Sequence, residues 1–172
     1  MDTAKWFERQ FDFRLSSKDY ISVYKRMQEA AGKLQQITAG ILPAALIYKP
    51  GGKWSVNEHV GHLSLLEPLW RQRFIDIHNS KPVLSPADLE NKATTEAGFN
   101  NSDIKALIET FINERNTTLL LLDSMNEEDK TKTSLHLRLQ QPMRIIDLSY
   151  FVAEHDDHHL AVISEIIQVY NK

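Results

Sequence analysis

From residue 145 onward the apolar side chains recur at intervals of three and four. Ile145, Ile146, Leu148, Phe151, Val152, Val162, Ile163 and Ile166 fall on one stripe, with His155 and His159 in the same phase. That is the periodicity of one helical face. Pro142, a residue favoured in a first turn, predicts the start, and the stripe continues to about Val169. Unbroken, such a helix is ~40 Å long at ~1.5 Å per residue. A stripe of that length needs partners of similar length to cover it.

Three other segments supply them. Tyr20, Val23, Tyr24, Met27, Ala30, Ala31 and Leu34 predict a helix over about 17–38, ended near Gly40 and followed by a connection containing Pro43, Pro50, Gly51 and Gly52. Ser55-Val-Asn-Glu58 reads as a capping box that opens a second helix, running through His59, His62, Leu63, Leu66, Leu69 and Trp70 to about Ile77. Pro68 lies inside it and should kink it or leave one bond unmade. A third helix runs from about Ser102 to Asp123 on the stripe Ile104, Leu107, Ile108, Phe111, Ile112, Leu119 and Leu122. Leu135, Leu137 and Leu139 alternate with polar residues, which predicts a short extended segment. Trp6, Phe7, Phe11 and Phe13 predict an aromatic arm or short helix packed on the body. The expectation is an all-α four-helix bundle, one domain over 1–172, with a long connection between helices 2 and 3. That connection, 78–101, is polar and carries Pro82, Pro86 and Gly98. Its length allows a topology other than up-down-up-down, and a loop of that length could cover the mouth of a site.

Several classes are excluded by composition. The chain has no cysteine, which removes disulfides, thiolate ligands and a cysteine nucleophile. A net charge of −3 with mixed signs argues against nucleic-acid binding. No run approaches the ~20 apolar residues of a membrane span, and the start has no apolar leader, so a cytoplasmic protein is expected.

The chemistry lies in the histidines. His155 and His159, four apart, can aim two imidazoles at one point, and His62 is in phase with Leu66 and Leu69. Three inward imidazoles from two helices suit a divalent transition metal such as zinc, nickel or iron. Three protein ligands also leave a position open for water or substrate. The competing reading is hydrogen-bonded core histidines. His59 and His158 face off the stripes, as neighbours of the ligands or solvent groups; His78 and His136 receive no role. Glu58, Asp156 and Asp157 are candidates to orient a ligand imidazole. Their competing roles are the cap, for Glu58, and solvation. A di-iron carboxylate site needs Glu-x-x-His on two helices; Gly61 follows Glu58 by three and Asp157 follows Glu154 by three, so that pattern is missing. Ser55 reads as a cap and not as a nucleophile.

At these residues the chain resembles the DinB-like superfamily, which includes YfiT-type metal-dependent hydrolases and bacillithiol transferases. The resemblance rests on Trp54-Ser-Val-Asn-Glu-His-Val-Gly-His62-Leu, on Ala153-Glu-His155-Asp-Asp-His-His159-Leu-Ala and on the aromatic opening from Trp6 to Phe13. It implies a four-helix bundle, often a homodimer, with a metal held by His62, His155 and His159. His59 and His158 are the alternatives to His62 and His159, which are preferred because each precedes a leucine and by their phase. The expected function is a metal-dependent enzyme: transfer of a low-molecular-weight thiol to a small electrophile, or hydrolysis. Glu58 is the carboxylate named to assist proton transfer. The alternative is a non-catalytic, stress-associated metal-binding protein.

Overall fold

The computed structural model describes residues 6–171. Residues 1–5, part of the start expected to carry no apolar leader, and residue 172 lie outside it. In chain order the helices are α1 (Tyr20–Thr38), the short α2 (Pro43–Leu46), α3 (Val56–His78), the short α4 (Lys92–Glu96), α5 (Ile104–Asp123) and α6 (Ile145–Tyr170). The expected all-α bundle is formed by α1, α3, α5 and α6. None of the described helices is long and apolar enough to cross a membrane.

The caps follow the sequence. The Ser55 hydroxyl accepts from the Glu58 N–H, and the Glu58 carboxylate accepts from the Ser55 N–H at 2.8 Å. Asp103 accepts from the N–H groups of Lys105 and Ala106 to open α5. Pro68 removes one donor, yet α3 runs through it without a break.

The start of α6 differs from expectation. Gln141–Met143 forms β2 and pairs antiparallel with β1 (Ser134–His136), with Leu135 opposite Pro142. β2 is the edge of this small sheet, one of the few strand positions open to a residue without an N–H. α6 begins only at Ile145, where the Asp147 carboxylate accepts from the Arg144 N–H at 2.9 Å. The extended segment is accordingly shorter than the leucine alternation predicted: Leu137–Gln140 turn back, with Gln140 at φ 50°. The aromatic arm packs as expected. Trp6 lies 5.1 Å from Phe151 and 5.0 Å from His155, and Phe11 lies 5.1 Å from Phe151.

The long helices pack in a ring, α1 beside α6, α6 beside α3, α3 beside α5 and α5 beside α1. Contacts give their directions. Arg144 at the start of α6 donates to the Leu15 carbonyl ahead of α1, and Arg26 and Lys33 follow along to Glu154 and Asp157, so α1 and α6 are parallel. Asn57 reaches Ser102, and Arg71 reaches Glu114 and Thr118, so α3 and α5 are parallel too. Tyr24 bonds Asp123 and Arg115 bonds the Met27 carbonyl, which sets α1 against α5. The 79–103 connection makes this topology by carrying the chain back along the bundle between α3 and α5.

The core is in two clusters. One gathers Met27, Trp70, Phe74, Leu122, Leu148 and Phe151; the other gathers Leu34, Val60, Leu63, Phe111, Leu160 and Ile163. A polar layer lies between them. There Arg115 donates to both oxygens of Asp156, at 2.7 and 3.0 Å, and to one oxygen of Glu67, at 2.7 and 2.9 Å. Thr118 takes the other Glu67 oxygen. Burial pushes the Asp156 carboxyl up to about 6, against the pull of Arg115. Arg115 stays charged between the two carboxylates although it is buried.

Candidate metal centre

The histidines occupy the same layer. His62 comes from α3, His155 and His159 from successive turns of α6, and all three are buried. One ring nitrogen from each lies within 4.8 Å of the others. Nε2 of His155 and Nε2 of His159 are 3.1 Å apart. Two ligands bound at ~2.0–2.1 Å to one ion at adjacent vertices are separated by roughly 3 to 3.4 Å. The spacing therefore suits a shared cation.

The other ring nitrogens face outward. Nδ1 of His62 is 2.9 Å from the Thr94 hydroxyl, in α4. Nδ1 of His159 is 2.8 Å from Nδ1 of His59. Each contact fixes a ring and leaves its Nε2 to the histidine group, the service that carboxylates and carbonyls give to ligand imidazoles elsewhere. His155 differs: its Nδ1 is buried with no partner among the described residues. Its ring is instead held edge-on by Trp6 at 5.0 Å and Trp70 at 5.6 Å.

Burial also sets the protonation. It pushes His62 down to about 3, and His155 and His159 well below the usual value, with the neighbouring imidazoles adding to the effect. All three are neutral at physiological pH, the form that ligates. The donor set, its spacing and its charge state fit a metal ion.

The remaining candidates are placed elsewhere. Glu58 does not join the group. Its oxygens are taken by the Ser55 N–H and by Lys49 at 2.7 Å. Against the effect of burial, these partners hold its carboxyl below the usual range. Asp156 and Asp157 do not orient an imidazole either: the first bonds Arg115, the second Arg26 at 2.6 Å. His59 is drawn in beside His159, with burial pushing its imidazole down to about 4. His158 is half-buried against Trp6 and His159, at 5.7 and 5.3 Å. His78 pairs with Asp129 at 2.8 Å, apart from the site.

The histidines form part of the wall of a cavity of about 420 Å³, a size common for small-molecule sites. Trp6, Trp54, Trp70, Leu66, Leu69 and Phe151 give it an apolar body, and Leu84–Leu89 of the long connection close one side. That connection is pinned to α3. Ser55 donates to Asn100, Asn57 to the Phe99 carbonyl, and the Phe99 ring occupies the space that a Cβ on Gly61 would need. Thr94 had no signal in the sequence, because a loop delivers it. Glu67, Arg115 and Asp156 did have one: each is a charge on an inward stripe, Arg115 between Phe111 and Leu119, Glu67 between Leu63 and Trp70.

A helical bundle with a buried three-histidine group at a cavity wall defines a recognisable class of protein. The DinB superfamily model matches residues 6–163, and the chain belongs to that superfamily. Among solved structures the chain is similar to YfiT from Bacillus subtilis, described as "a probable metal-dependent hydrolase with an unusual four-helix bundle topology". The TM-score is 0.81 at 18% identity, covering 95% of this chain and 94% of that one, a likeness of fold. No curated protein matches the sequence.

Proposed function

We propose that the protein is a metal-dependent enzyme in which His62, His155 and His159 hold one divalent transition metal, zinc, nickel or iron. The observation that carries this reading is the convergence of three neutral, buried imidazoles on the wall of a small-molecule cavity. A metal held there supplies Lewis acidity, making a low-molecular-weight thiol or a water nucleophilic near neutral pH. The chain itself does the rest. Thr94 and His59 orient two of the three rings. Trp6, Trp54 and Trp70 exclude bulk water and flank a small electrophile. Glu58 has no step here, because both its oxygens are engaged outside the cavity. The absence of cysteine fits a thiol brought in as cosubstrate. A homodimer is part of this proposal, and light scattering on the purified protein tests it.

The deciding experiment is elemental analysis of gently purified protein beside His155→Ala, followed by turnover of model thiols and esters. About one metal per chain, lost in the variant, with metal-dependent turnover of either class, is the expected result. Metal without turnover points to the non-catalytic metal-binding alternative. A native protein that holds no metal and takes up none of the three ions overturns the proposal.

A further inference from the structure

The cavity has a second chemical end. Arg73 of α3 lines it and is only 5% exposed. Its Nε donates to the Ser85 carbonyl at 2.9 Å, and one terminal nitrogen lies 3.4 Å from Nε2 of His136. No carboxylate pairs with it among the described residues. Asp76, one turn along α3, is occupied by Gln72, Lys81 and the Ser85 N–H. Arg138, from the turn between β1 and β2, lines the same cavity half-buried, with neither a hydrogen bond nor an ion pair among the described residues. Its guanidinium lies over Phe7 and Phe151, at 5.3 and 5.9 Å. Among the described residues the one carboxylate in the wall, Asp88, is exposed and accepts from the N–H groups of Glu90 and Lys92.

The contrast with Arg115 is informative. That buried guanidinium has two carboxylates bonded to it; among the described residues Arg73 and Arg138 have none, and Arg73 feels the charge of Arg138, offset in part by that of Asp76. Burial and Arg138 push Arg73 down to about 10. A buried cation without a counter-ion is costly unless something brings one. Trp70 joins the two ends of the cavity: Arg73 is 5.4 Å from its ring and His155 is 5.6 Å from it.

We propose that Arg73 and Arg138 bind the terminal oxyanion, a carboxylate or phosphate, of a small substrate whose apolar body lies along Trp70 and whose reacting end meets the histidines. The guanidinium fork matches both groups. This deepens the reading of the histidine group as the reactive centre and rests on it for the position of the reacting end. Recognition of the anion belongs to the arginines alone.

The test is binding, followed by tryptophan fluorescence and calorimetry, of phenylacetate, phenyl phosphate and the neutral phenylacetamide. Protein is used as purified and after chelation, with metal content measured in every sample. Variants are Arg138→Gln and Arg73→Gln; Arg138 is half-buried, so its variant folds even where the other does not. At least one anion should bind roughly tenfold or more tightly than the amide. Arg138→Gln should lose that preference with metal content unchanged. The preferred anion then distinguishes carboxylate from phosphate. Equal binding of amide and anions, an Arg138→Gln variant that binds like the parent, or no anion binding up to roughly 10 mM overturns the proposal. Anion binding that requires metal and ignores both arginines overturns it as well. An arginine-dependent preference in protein that holds no metal leaves this inference standing while the metal reading fails.

Discussion

His155 carries a buried nitrogen with no partner among the described residues, and such a group costs about 1–3 kcal/mol of folding free energy. Natural cores keep few of these. Here the ring is held by indoles, and what it gains is an Nε2 aimed at that of His159. Alanine at His62, His155 or His159 should therefore abolish tight metal binding in elemental analysis, while His78→Ala, far from the group, should keep full occupancy. Retention of metal in His62→Ala would show that another histidine ligates. His59→Ala removes the partner of His159 and should weaken metal affinity roughly 10- to 100-fold, read by competition with a chromophoric chelator. An unchanged affinity would make His59 a bystander. At this scale the sequence was readable where phase decides. His62, His155 and His159 sit on inward stripes, and the structure brings them together. Thr94 and Arg138 were not readable, because their positions depend on how the long connection and a hairpin fold back; Arg73, a charge between Trp70 and Ile77 on α3, carried the same signal as Glu67.

Elements explain why His59, off the stripe and read as a neighbour of the ligands or a solvent group, is the buried neighbour. From Val56 to Ser64 every residue of α3 is buried, since α5, α6 and the Phe99 turn cover it on all sides. A helix stretch with no solvent face leaves no exposed off-stripe position, so the solvent alternative falls away there. The same covering makes Gly61 indispensable. Gly61→Ala should clash with the Phe99 ring and cost about 1–3 kcal/mol in a denaturant melt. Limited proteolysis should then cut between residues 90 and 101, and a variant as stable and resistant as the parent would mean that Phe99 yields freely. The late start of α6 has a comparable cause. Apolar spacing continues through Met143, but the Asp147 cap and the pairing of β2 decide where helix begins, and neither is a matter of periodicity.

Across the whole molecule, the polar layer makes stability depend on pH. His59, His62 and His136 are pushed down to about 4, 3 and 4 by burial, and His155 and His159 further. An unfolded histidine takes its proton near 6.5. Below that pH the unfolded state binds more protons than the folded one, so stability falls as pH drops, until the folded values are reached. Asp156, pushed up to about 6, has the opposite sign, because the fold takes its proton before the unfolded chain does. Five histidines outweigh one aspartate. The urea midpoint of metal-free protein should be lower at about pH 5 than at about pH 7.5, and an equal or higher midpoint would refute this balance. Arg115→Met leaves Glu67 and Asp156 buried without a cation and should cost about 3–5 kcal/mol.

Arg115 has one more consequence. Two acidic side chains in the middle of a bundle are an invitation to a bridging ion, and here the bridge is tethered to the backbone of α5. The core can close on a counter-charge that every copy of the chain carries from synthesis, with no need to capture one from solution. Chelated protein should keep its helical circular dichroism, and collapse of that signal would contradict the idea. On the proposed function, scarcity of metal would then limit how many molecules are active while leaving all of them folded and ready to be loaded.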